Sequence, residues 1–243
     1  LDVPSMGVVT DYTIHPHWEE TNLDYYITAD KGLTRQAALR GITPEKIKPF
    51  GIPIHLKFAE KVSKQQAKEQ LGFSQNDLIL VMMGSMGYGN MTSILEEVDS
   101  VDKPYDIAVV CGNNEEAKEA IDQMQFRHPI HNLGFVKNVD LLMDAAECIV
   151  TKPGGLSVSE SLAKGLPMIL VDPIPGQEDR NVEFLVNNGV AMISSKTYPV
   201  SEAVNQLLED TCRREEIKNA IERIAKPYAA KTVGDFIVAQ WGK

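Results

Sequence analysis

Four short, nearly uninterrupted apolar runs constrain this chain more than any other feature. They are Leu78-Ile79-Leu80-Val81-Met82-Met83, Ile107-Ala108-Val109-Val110-Cys111, Cys148-Ile149-Val150-Thr151 and Met168-Ile169-Leu170-Val171. Runs this long without alternation suit strands covered on both faces, as in a parallel sheet. Each ends in glycine or turn-forming residues, and helical stretches lie between and beyond them at about 90–98, 114–125, 138–146, 156–164 and 178–187. Such alternation predicts βαβ units and a doubly wound α/β domain. Upstream, Gly7-Val8-Val9-Thr10-Asp11 and Tyr25-Tyr26-Ile27-Thr28 read as two more strands, with a helix over 31–40. Gly51-Ile52-Pro53-Ile54 then breaks the pattern as a linker. Residues 1–50 carry the α/β alternation but are too few for a domain of that kind. The stretch from about 200 to 241 reads as helical, interrupted at Pro227.

Composition removes several function classes. No window approaches the roughly 18 uninterrupted apolar residues of a membrane span. A net charge of −10 speaks against general nucleic-acid binding. That charge is uneven: residues 31–68 carry nine Lys and Arg (Lys31, Arg35, Arg40, Lys46, Lys48, Lys57, Lys61, Lys64, Lys68) against Glu45 and Glu60. Such a segment suits either anionic lipid headgroups or an ordinary solvated helix face. Cys111, Cys148 and Cys212 are far apart and odd in number. They fit neither a disulfide framework nor a cysteine zinc site, and they predict a reducing cytoplasm. The five histidines form no H-E-x-x-H and no two aspartates form D-x-D, so no metal site is expected. Leu1-Asp2-Val3-Pro4 lacks the basic and apolar regions of a signal peptide; with no initiator Met, the numbering is expected to begin inside a longer chain.

Three turns carry the candidate chemistry. Gly84-Ser85-Met86-Gly87-Tyr88-Gly89 follows the first strand, but its G-x-x-G-x-G spacing is not the dinucleotide fingerprint. Asn90 stands where a P-loop needs Lys, and the next strand ends in Cys111-Gly112-Asn113, without a ribose-binding carboxylate. The loop is an anion site at a helix N-terminus or a plain tight turn. In Thr151-Lys152-Pro153-Gly154-Gly155-Leu156-Ser157-Val158-Ser159-Glu160, paired glycines allow close approach by ligand atoms and Lys152 adds positive charge. Ser157 and Glu160 have capping-box spacing. Alternatively, Glu160 accepts two hydrogen bonds from a ribose diol. Asp172-Pro173-Ile174-Pro175-Gly176-Gln177-Glu178-Asp179-Arg180-Asn181 holds Gln177, Glu178 and Asn181 on a stiff turn that suits a polyhydroxyl ligand or an exposed polar helix start. Both of the latter turns fall at carboxyl ends of parallel strands, where open α/β sheets bind ligands.

Together with Val9-Thr10-Asp11-Tyr12, His15-x-x-Trp18, Val110-Cys111-Gly112-Asn113-Asn114, Leu133-Gly134-Phe135-Val136 and Pro175-Gly176-Gln177-Glu178, these blocks occur in an order that resembles the diacylglycerol glycosyltransferases. That group includes plant monogalactosyldiacylglycerol synthases and bacterial processive diacylglycerol glucosyltransferases. The match covers roughly residues 7–195. The resemblance implies a GT-B fold of Rossmann-like doubly wound parallel sheets. Residues 1–50 would be the last part of an acceptor domain, 53–225 a donor-binding domain, and 229–241 a helix bracing the acceptor side. The implied function is inverting transfer of a hexose from a UDP-sugar to diacylglycerol or a glycolipid, peripherally on the cytoplasmic face of an anionic membrane.

The same resemblance assigns roles. The backbone of Gly134, Phe135 and Val136 would hold the uracil, Glu160 the ribose, and the N–H groups of Gly154, Gly155, Leu156 and Ser157 the diphosphate, with Lys152 adding charge. Gln177, Glu178 and Asn181, beside Gly176, would hold the sugar. Gly84, Ser85, Met86, Gly87, Gly112 and Asn113 complete the UDP-sugar set. His15 and Asp11 are the candidate bases, and neither cofactor nor metal is implied. The alternatives are a UDP-sugar-binding half that needs a missing N-terminal part or a partner, a peptidoglycan-type N-acetylglucosaminyltransferase, and a UDP-sugar 2-epimerase.

Overall fold

The structure is a computed structural model that describes residues 3–83 and 90–242. Its first strands, β1 (Met6–Val8), β2 (Tyr25–Ile27) and β3 (Ile47–Lys48), form a parallel sheet in the order β1-β2-β3, with helix α1 (Leu33–Leu39) between the last two. The chain then crosses a linker containing a short 3-10 helix, Leu56–Ala59, and enters α2 (Lys64–Leu71). Gly51 begins that crossing at φ +100°, and a Cβ there would lie 2.5 Å from Lys226 Cβ. Only glycine combines that dihedral with that approach.

The larger sheet takes β4 (Asp77–Met82), β5 (Tyr105–Val110), β6 (Ile130–Leu133), β7 (Cys148–Thr151), β8 (Met168–Leu170) and β9 (Ala191–Ile193) in the order β6-β5-β4-β7-β8-β9, all parallel. Its crossovers carry α3 (Met91–Asp99), α4 (Glu115–Asp122), α5 (Val139–Ala145), α6 (Gly155–Lys164) and α7 (Asp179–Asn187). The four apolar runs are β4, β5, β7 and β8. Every residue of β5, β7 and β8, and all of β4 beyond Asp77, is buried, as strands covered on both faces require. Strand order reverses between β4 and β7, so a crevice opens at the carboxyl ends of that pair.

The C-terminal stretch is helical as expected: α8 (Val200–Glu209), α9 (Thr211–Ile224) and, beyond the Pro227 break, α10 (Ala229–Trp241). Phe236 of α10 packs its ring 5.0 Å from that of Tyr25 and 5.4 Å from that of Phe50, which ties the chain's end to the small sheet.

Within the basic segment 31–68, Lys31, Arg35 and Lys61 are exposed, whereas the other six cations have partners within the protein. Arg40 pairs with Glu19, Lys46 donates to Leu23 O, and Lys48 lies over the Tyr25 ring. Lys57 pairs with Asp140 and Lys64 with Glu147, while Lys68, 5% exposed, donates to Asn76 O. Of the α2 lysines, Lys68 is turned inward, while Lys64 stays partly exposed beside Glu147.

Candidate functional site

A cavity of about 780 Å³ opens at the crevice between β4 and β7. Both lobes build it. The small sheet supplies Thr10 and Asp11, the linker His55, Lys57 and Phe58, and the large sheet the turns after β5, β6 and β7.

The floor is the start of α6. Its N-cap, Gly154, offers no side-chain cap, and the first i→i−4 bond is Val158 N–H to Gly154 O at 3.0 Å. The N–H groups of Gly155, Leu156 and Ser157 precede that bond and have no acceptor inside the helix. Summed with the helix dipole, they favour an anion in front of them. Gly155 is a glycine for a steric reason, since a Cβ would stand 1.7 Å from Thr10 O. The close approach is therefore made by the chain's own small lobe rather than by a ligand. Among the described residues, a Cβ at Gly154 would meet Glu178 Oε1 at 3.6 Å and nothing nearer.

One turn further along α6, half-buried Glu160 lines the cavity. Burial pushes its carboxyl up to about 7, partly opposed by the Lys57 cation and reinforced by Asp140. Lys57 is held 2.9 Å from Asp140 Oδ1 and donates to Lys137 O at 2.5 Å. The capping-box alternative for Ser157 and Glu160 fails, because the helix begins at Gly155 and Ser157 already lies inside it. Glu160 has no capping duty and sits as a carboxylate acceptor at the wall of a mostly apolar cavity.

The turn after β8 is strained at one residue, Asp172, whose φ is 42°. It presents exposed Gln177, and Glu178, whose Oε2 accepts from Ile174 N–H at 2.8 Å, to the same cavity. Across from them Asp11 lines the wall contributed by the small sheet.

Residues 78–233 match the family model of the glycosyltransferase family 28 C-terminal domain, and residues 1–54 match that of monogalactosyldiacylglycerol (MGDG) synthase. The chain belongs to glycosyltransferase family 28. Among its relatives is a processive diacylglycerol beta-glucosyltransferase of Bacillus pumilus, 32% identical over 241 residues that cover 98% of this chain and 63% of the relative. The protein of the same name from Bacillus subtilis is 31% identical over 218 residues, covering 87% of this chain and 57% of the relative. The family 28 chain thus spans less than two thirds of the length of these curated relatives.

Solved structures share its fold. MurG of Acinetobacter baumannii superposes with a TM-score of 0.66 at 20% identity, covering 98% of this chain and 67% of that one. Anabaena Alr3699/HepE in complex with UDP and glucose gives 0.60 at 15% identity, covering 96% and 71%. The family 28 chain has the GT-B type of architecture, with parallel sheets in two lobes facing a crevice.

Within the family 28 chain, the cavity gathers Asp11, Gly112, Phe135, Val136, Gly154, Gly155, Leu156, Ser157, Glu160, Gln177 and Glu178. Asn113, Gly134, Lys152 and Gly176 lie on its turns but not in its wall. Gly84, Ser85, Met86 and Gly87 fall outside the described residues.

Two further expected site residues lie off the cavity wall. Asn181 is 0% exposed and does not line the cavity; its amide is engaged by Tyr12 N–H, Asp11 Oδ1 and Pro153 O. His15 is exposed at the head of the 3-10 helix Pro16–Glu20, where its Nδ1 accepts from His17 N–H at 3.3 Å, and it does not line the cavity. The Trp18 ring, three residues on, lies edge-on to Tyr26, 6.0 Å away.

Sequence reasoning missed Thr10, His55, Lys57 and Lys137. The signal for His55 and Lys57 was faint: a His two residues ahead of a Lys after Pro53, which folds so that His55 Nδ1 caps Lys57 N–H at 3.1 Å. Among the described residues, no three or more His, Cys, Asp or Glu gather as a metal cluster, and no helix is long and apolar enough to cross a membrane.

Proposed function

We propose that this chain binds a UDP-sugar in the 780 Å³ cavity and carries the donor half of an inverting hexosyl transfer to diacylglycerol or a glycolipid at a membrane surface. The observation that carries the reading is one juxtaposition: the uncapped start of α6, the elevated carboxyl of Glu160 and the small-lobe carboxylate of Asp11 share one cavity. The names of the Bacillus relatives and the UDP and glucose of the Anabaena complex support it.

The roles follow from chemistry. The diphosphate lies before the N–H groups of Gly155, Leu156 and Ser157, which stabilise the negative charge that grows on it as the bond to the sugar breaks. Glu160, ionised, accepts from both ribose hydroxyls, while the Gly134–Val136 turn and the exposed Phe135 ring hold the uracil. Gln177 and Glu178 hold the hexose. The acceptor oxygen attacks the anomeric carbon from the face opposite UDP, and Asp11 takes its proton. Because the acceptor is a lipid, transfer occurs at a bilayer, with the exposed Arg35 and Leu39 of α1 among the groups available to an anionic surface.

The test is calorimetric titration with UDP, UDP-glucose, UDP-galactose and UDP-N-acetylglucosamine, in wild type and Glu160→Ala, followed by transfer to diacylglycerol vesicles. Absence of UDP binding, or binding indifferent to Glu160, refutes the donor site. Binding without transfer, with transfer restored by the part of the relatives' length that this chain does not span, supports the reading in which the chain is a donor half requiring its complement.

A further inference from the structure

A side-chain amide has two N–H donors and a carbonyl acceptor to satisfy. In the first turn of α7, Asn181 satisfies all of them within the protein. Its Oδ1 accepts from Tyr12 N–H at 2.7 Å, and its Nδ2 donates to Asp11 Oδ1 at 3.0 Å and to Pro153 O at 2.9 Å. One buried side chain thus joins three elements: the segment leaving β1, the turn entering α6, and α7.

The surroundings make this joint stiff. Thr10 O rests against Gly155, the Tyr12 ring lies 5.0 Å from that of Phe184, and the Tyr12 hydroxyl meets Ser159 Oγ at 2.9 Å. Asp11 sits between those two anchored residues, beside a helix start that attracts any anion. Its carboxylate is itself an anion. Released from Asn181, it would be drawn to the first N–H groups of α6, which have no acceptor inside the helix, the place a diphosphate must take.

We infer that Asn181 is a positioning residue: it holds the Asp11 carboxylate off the anion seat of α6 and makes no contact with the donor sugar. The inference rests on the donor-site reading given above. It differs from a sugar-binding role in what the side chain can offer, since both N–H groups are already engaged and the residue is wholly buried.

The experiment compares binding of UDP and UDP-glucose to the chain in wild type, Asn181→Ala, Asp11→Ala and the double variant. Asn181→Ala is expected to weaken both ligands by the same factor, about tenfold, and adding Asp11→Ala restores affinity to within about twofold of Asp11→Ala alone. A loss confined to UDP-glucose would overturn the inference, because Asn181 would then hold the sugar. A double variant as weak as Asn181→Ala would also overturn it, the loss being general damage to the joint.

Should Asn181→Ala not fold, the wild-type protein still decides. The Asn181 side-chain amide resonances are expected to be protected from exchange and to sit at the same shift with UDP as with UDP-glucose; a sugar-dependent shift overturns the inference. If wild type binds no UDP, the donor-site reading falls separately. Thermal unfolding of the four proteins then judges the joint, with losses from Asn181→Ala and Asp11→Ala expected to be less than additive and additive losses refuting it.

Discussion

Glu160 makes the affinity of the site a function of pH over an unusual range for a carboxylate. With its carboxyl at about 7 in the empty protein, the ionised fraction falls from roughly nine tenths at pH 8 to one tenth at pH 6. A ribose diol donates two hydrogen bonds and needs the ionised form, so UDP-glucose affinity should fall about tenfold over those two units, close to 1.4 kcal/mol. UDP-glucose is the right probe because its diphosphate is a diester with constant charge here, whereas the terminal phosphate of UDP titrates. Glu160→Gln should bind about 10- to 100-fold more weakly at pH 8, since a hydrogen bond to a charged group contributes about 1.5–3 kcal/mol, and its pH dependence should vanish.

Stability runs the other way. A carboxyl raised from 4.5 to about 7 by folding contributes stability below pH 4.5 that is lost as pH rises through 7. Glu160→Gln should therefore stabilise the empty chain by about 2 kcal/mol at pH 8, after discounting for partial exposure, and by almost nothing at pH 4. Calorimetric titration and urea unfolding at pH 6, 7 and 8 measure both arms. A wild-type affinity flat across that range, or a Glu160→Gln variant that keeps the slope, would refute the reasoning.

Three further perturbations probe the same joint. Lys57→Met removes the cation that opposes the rise of Glu160, so the midpoint of UDP-glucose binding against pH should move above 7 by calorimetric titration. Gly155→Ala drives a Cβ into Thr10 O, a backbone atom without freedom to yield; urea unfolding should show a loss of at least about 1–3 kcal/mol, with UDP affinity falling as well. Lys164 and Asp144 form an ion pair at 2.6 Å with side chains only 1% and 6% exposed. Lys164→Ala should cost about 3–5 kcal/mol in urea unfolding by leaving the Asp144 carboxylate without its cation, whereas Lys164→Met with Asp144→Leu should recover part of that loss, the Val62 N–H and Glu60 O still losing their partners.

Much of the fold was legible because burial on both faces writes itself as an apolar run. Strands β4, β5, β7 and β8 carry that signature, and the turns following β7 and β8 drew attention to Glu160, Gln177 and Glu178. Strand β6 escaped because its middle residues are polar with partners supplied by distant elements. His131 stacks on Phe73 at 3.8 Å, and Asn132 donates to Lys118 O and Asp122. The two-residue β3 and three-residue β9 are too short to show a period.

The burial of Asn181 was not legible for a related reason. A polar residue opening a helix looks solvated in sequence, and only the fold shows that Asp11 and Tyr12, some 170 positions away, bury it. Neither His55 nor Lys57, the latter counted only among the basic residues of 31–68, stands out in the sequence, yet both line the cavity at a 3-10 turn.

The cavity and the contact between the lobes are one structure, and this joins binding to stability. Thr10 and Asp11 come from one sheet, Gly155 and Glu160 from the other, and Lys57 from the segment connecting them. A ligand at 100 times its dissociation constant adds about 2.7 kcal/mol to such an assembly. The empty site works against it: a half-buried carboxyl that resists ionisation shares the cavity with a helix start whose first N–H groups have no acceptor inside the helix. Both features favour an ordered nucleotide more than an empty cleft, the first through its hydroxyl donors and the second through its negative charge. Substitutions that stabilise the unliganded chain by neutralising Glu160 or filling the anion seat should therefore weaken the binding for which the site is arranged.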